Sequence, residues 1–167
     1  MALTTTIETR INAYQTGSSG LSPTEAKHGL NYAKTLVSGT ATGQADVAWG
    51  KTATLAASAN EDLDLAGALS GALGGSAVFA KVKAIQVTAD EGNTNNVVVG
   101  GAAATQFVGP FGAATHTVAV PPGGSFMVTA PAAGWTVGAG ASDFLRIANS
   151  GAGSSVTYKI LVIGTSA

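Results

Sequence analysis

The sequence predicts a mainly β protein: an antiparallel β-sandwich of jelly-roll type over residues 41–167, with a short helical arm over residues 1–40. Three observations predict it. Short strand-like runs recur with turn signals about every ten to twenty residues and no helical pattern between them, which favours antiparallel layers over βαβ units. Glycine supplies 23 of 167 residues, roughly twice its usual ~7% share, which implies many tight turns. A hydrophobic content of 46% is enough to build a core and excludes disorder through low hydrophobicity.

The arm comes first. Leu3, Ile7, Ile11 and Tyr14 recur at spacings of four, four and three, one stripe of an amphipathic helix. Thr4, Thr5 or Thr6 caps its start, and the run TGSSG at 16–20 ends it. Ser22-Pro23-Thr24-Glu25 then has the form of a capping box with proline in the first turn. The second helix carries Ala26, Leu30, Ala33 and Val37 on one face and ends near Gly39.

From about residue 43 the pattern is β. Asp62-Leu63-Asp64-Leu65 alternates polar and apolar. Phe79 to Val87 reads as a strand with Lys81 and Lys83 on one face and Val82 and Ala84 on the other. Its phase breaks near Ala84-Ile85, which predicts a bulge or a change of cover. Val97-Val98-Val99 is a continuous apolar strand. Val118 and Val120, then Phe126 and Val128, alternate on either side of the turn Pro121-Pro122-Gly123-Gly124. Leu145 and Ile147 alternate with Phe144 and Arg146. Val156, Tyr158, Ile160 and Val162 share one face of the last strand, opposite Thr157 and Lys159.

Charge is the sharpest functional signal. From Gly92 to Ser142 there is no Asp, Glu, Lys or Arg, and only 10% of the whole chain is charged, against about a quarter in ordinary soluble domains. A folded β region of this kind presents a neutral, partly apolar surface, which favours burial against other subunits. Net charge is −1, from 8 basic and 9 acidic residues, so the clustered Lys and Arg that nucleic-acid binding needs are missing. Mean hydropathy is +0.31, yet no apolar run approaches the ~18 residues of a membrane span. The start, MALTTTIETRINAY, does not read as a secretory signal. Without cysteine, disulfides, zinc thiolates and thiol catalysis are excluded.

Each motif with catalytic overtones has a plainer reading. Gly50-Lys51-Thr52 has the ending of a phosphate-binding loop, but the glycine required five residues earlier is Ala45, and TATLAAS after it reads as strand. The plain reading is a turn followed by a strand. Asp90 to Asn96 is rich in oxygen donors but lacks calcium-loop spacing and its terminal Glu, so turn chemistry is expected, with calcium the lesser alternative. His28 and His116 have no local link to a carboxylate, and no serine sits in a G-x-S-x-G elbow. Asp62 and Asp64 are expected to face Lys81 and Lys83 across strands, or else to lie on two separate solvated faces. No catalytic residue, metal site or cofactor is expected. Leu3, Ile7, Ile11 and Tyr14 on the arm, with Phe107, Phe111 and Trp135 on neutral loops, are the expected partner contacts; core packing is the usual fate of such aromatics.

The segments TLAASANEDLDLAGALSGALG, FAKVKAIQVTA, NTNNVVVGGAA, FVGPFG, VPPGGSFMVTAPAAGWTVGAGASDFLRIANSGAG and VTYKILVIGTSA resemble small virion structural proteins of tailed bacteriophages and prophages. The resemblance covers roughly residues 40–167. It rests on turn-like and compositional features and carries over no functional residues. It implies a non-enzymatic β-sandwich component of the virion, assembled in the host bacterial cytoplasm. The closest role is a head decoration, or cement, protein that stabilises the capsid. The expected partners are the major capsid protein or other virion subunits and further copies of the chain as a homo-oligomer, a trimer by analogy with threefold shell positions. Neither nucleic acid nor membrane is an expected partner. The alternative is a tail- or fibre-associated receptor- or glycan-binding module, which needs exposed aromatics at Phe107–Phe111 or Trp135. A hydrolytic enzyme would need a pocket joining His116 to carboxylates.

Overall fold

The computed structural model describes residues 2–67, 69–101 and 104–167, apart from the side chain of Ser19. Every regular element among them is a strand. In chain order these are β1 (Thr5–Ser19), β2 (Ser22–Ser38), β3 (Gln44–Ala45), β4 (Val47–Leu55), β5 (Asn60–Asp64), β6 (Leu69–Ser70) and β7 (Ser76–Ala77). They continue with β8 (Lys81–Ala89), β9 (Val97–Gly100), β10 (Thr117–Val120), β11 (Ser125–Thr129), β12 (Trp135–Thr136), β13 (Phe144–Asn149) and β14 (Val156–Thr165).

Two antiparallel sheets form the body. One runs β11-β8-β14-β4, with β12 also paired to β8; the other runs β10-β9-β13-β5. Inward side chains of both sheets meet in one core: Val82, Ile85, Val87, Tyr158, Ile160 and Val162 from the first, Leu63, Val97, Val99, Leu145 and Ile147 from the second. The period-two alternation seen in the sequence thus places one face of each strand in a shared apolar layer. The strand irregularity lies slightly earlier than the sequence indicates. Ile163 pairs with Ala84 and Gly164 with Val82, so Lys83 has no partner across β14. Lys83 is therefore not a surface partner of Lys81. It is buried, its ammonium donates to the Ala132 carbonyl at 2.5 Å, and burial, then the nearby charge of Lys81, lowers its pKa.

The arm is not helical. Residues 5–38 form one long hairpin, β1 paired with β2 in unbroken register from Thr5↔Leu36 to Ser19↔Ser22. The helical reading failed because a spacing of four is even. Leu3, Ile7 and Ile11 fall on one face of a helix and equally on one face of a strand. Tyr14, the odd step, lands on the opposite face. The β-branched Thr4-Thr5-Thr6-Ile7, Thr9 and Ile11 favour the extended form. The expected capping box is instead the start of β2: Gly20, with φ of +63°, opens a two-residue turn with Leu21, and Pro23 follows where a free edge tolerates it.

Candidate functional site

The register of the hairpin sorts its side chains into two faces. Thr5, Ile7, Thr9, Ile11, Ala13 and Gln15 lie opposite Leu36, Lys34, Tyr32, Leu30, His28 and Ala26. The other face holds Glu8, Arg10, Asn12 and Tyr14 against Ala33, Asn31, Gly29 and Lys27. The first face is mainly apolar, the second mainly polar and charged. On the polar face Lys27 pairs with Glu25 at 3.3 Å and sits 5.9 Å from the centre of the Tyr14 ring.

Only the base of the apolar face is covered. Ile7 and Leu36 are buried with Ala45, Ala84 and Ile163, and Leu3 and Met127 pack against them, so the hairpin is seated on the outer face of the five-stranded sheet. Beyond the base, Ile11 is 69% and Leu30 71% exposed, and Tyr32 is exposed as well. A two-stranded ribbon with an uncovered apolar face is marginal in water, and contiguous exposed apolar surface marks a contact site.

A groove of about 430 Å³ opens where the hairpin leaves the body, lined by Thr5–Glu8, Ala84, Gln86, Met127, Leu161 and Ile163. Cross-strand register explains its shape. Gly50, Leu161, Gln86 and Met127 form one row across four strands, next to the row Ala48, Ile163, Ala84 and Thr129. Leu161 is 46% exposed. The groove borders an uncharged flank: the edge strands β10 and β11 both fall within the stretch without Asp, Glu, Lys or Arg. Edges are commonly protected by charge; β5 carries Glu61, Asp62 and Asp64, and β10 and β11 have nothing comparable.

Of the expected contact residues, Ile11 and Tyr14 are exposed on the distal arm, while Leu3 and Ile7 serve its base. Phe107 and Phe111 are corrected: both are buried in the main core, not displayed on a loop. The amides of Phe111 and Gly112 both reach the Val108 carbonyl at 2.9 Å, and this tight turn sends both rings inward while Val108 faces out. Trp135 is half-buried on β12 and packs against the same core. Exposed Leu30, Tyr32 and Leu161 and the groove residue Met127 were not among the expected contacts. The strand period would have grouped Ile11 with its partners had the arm been read as β.

The residues with catalytic overtones serve the fold. Gly50, Lys51 and Thr52 lie inside β4, where no turn or phosphate loop exists. Lys51 and the Tyr158 hydroxyl both bond Glu61, which ties β5 of one sheet to β4 and β14 of the other. Burial, then the bond to Glu61, raises the Tyr158 pKa far above its usual 10.0. The folded state therefore holds that proton more tightly, and its stabilisation, complete below about pH 10, is lost as pH rises further. Tyr158→Phe is expected to cost about 1–2 kcal/mol at neutral pH and to flatten the alkaline fall in melting temperature; an unchanged alkaline slope would refute the assignment.

Asp62 pairs with Arg146, not with Lys81 or Lys83, through two bonds of 2.7 Å. These two sit directly across β5 and β13, whereas the lysines belong to the other sheet. His116 Nδ1 lies 2.7 Å from the Phe111 carbonyl, and His28 faces Ala13 on the arm. In the 90–96 loop Asp90 accepts from the Gly92 amide, and Asn93 and Asn95 turn toward Thr157 and Asn149. Among the described residues, no group of three or more His, Cys, Asp or Glu is placed to hold a metal. No helix among them is long and apolar enough to cross a membrane. Compared with protein-family models, with curated proteins and with solved structures, the chain matches none.

Proposed function

We propose that this chain is a non-enzymatic structural subunit of a larger assembly, and specifically a virion head decoration protein of a tailed phage or prophage that stabilises the shell through protein–protein contacts. The observation that carries the reading is the hairpin of residues 5–38, whose apolar face continues from a buried base into an uncovered distal stripe. An uncovered apolar stripe of this kind suits a subunit that must grip a neighbour. The uncharged flank of β10 and β11 supports the same reading, since interface cores are depleted of charge.

Strand pairing supports a jelly-roll reading of the body. β4 pairs with β14, β5 with β13, β8 with β11 and β9 with β10. These are the partners produced when one long antiparallel ribbon is wrapped into two sheets, and the fold recurs in viral capsid proteins. Fold alone does not fix function, so the arm carries the argument.

Gold-labelled antibody against this chain, applied to intact particles of its source, tests the proposal. Label over the whole head is expected. Label restricted to the tail would favour a receptor- or glycan-binding module, and unlabelled particles would overturn the virion reading.

A further inference from the structure

We draw no further inference here: the strongest candidate, the uncovered apolar stripe of Ile11, Leu30 and Tyr32 on the distal hairpin arm, carries nothing beyond the assembly reading, because nothing in the structure shows what covers it.

Discussion

Truncating Phe107 to alanine is expected to cost about 3–5 kcal/mol of folding stability and to leave association of the folded chain unchanged. The ring is fully buried in the core shared by the two sheets. Its backbone amide donates to the Phe144 carbonyl at 2.8 Å, which pins the loop to β13. Gly109 lies so close that an added Cβ would stand 2.8 Å from the Phe107 Cζ and 2.5 Å from the Trp135 Cβ. The loop thus closes over the ring, and the cavity left by truncation has little freedom to collapse. Urea unfolding in the Ile11→Asp, Leu30→Asp background removes the contribution that self-association would make to apparent stability. A loss below about 1 kcal/mol accompanied by lost association in the otherwise native chain would mean that Phe107 is a contact residue after all.

Phe107 also marks a limit of sequence reading. The segment FVGPFG announces a turn but not which way its aromatics point. That direction depends on the Val108 carbonyl accepting two amides, a local geometry that composition does not encode. The strands of the body were easier, because Val156, Tyr158, Ile160, Leu145 and Ile147 recur at period two around Thr157, Lys159 and Arg146 and so declare both strand and inward face. Their pairing partners were not legible: Asp62 faces Arg146 from 84 residues away, and sequence proximity gave no clue.

The arm failed for a different reason. Spacings of four satisfy both periods, and the capping-box residues also suit the residues just after a tight turn. Two features distinguish the alternatives. Threonine and isoleucine are dense in the first strand, and glycines at 17, 20 and 29 weaken any helix. Read at period two, the arm's apolar face would have shown Ile7, Ile11, Leu30 and Leu36 together. The exposed apolar stripe was thus partly present in the sequence as the spacing of Ile7 and Ile11, and hidden only by the period assigned to it.

Replacing Asn149 by alanine is expected to cost about 3 kcal/mol, because this one buried amide closes three loops. Its Nδ2 donates to the carbonyls of Ala56 at 3.0 Å and Ser154 at 2.8 Å, and its Oδ1 accepts from Asn95 Nδ2 at 3.0 Å and the Gly151 amide at 3.2 Å. Alanine leaves the Ala56 carbonyl and the Gly151 amide without this partner, while Asn95 still donates to the Ser154 carbonyl; each unmet group carries a desolvation cost of about 1–3 kcal/mol, reduced where water reaches these half-buried and exposed residues. Asn149→Asp separates this account from simple packing. Aspartate keeps the shape but has no donor, and its charge would face the Ala56 and Ser154 carbonyls, so it should destabilise at least as much as alanine. Urea unfolding gives the energies, and amide exchange at Gly151 should speed up in both variants. An aspartate variant as stable as the native chain would show that the amide is not the tie between these loops. The loops that Asn149 holds lie at the ends of β4, β9 and β13, so their loosening would not touch the arm.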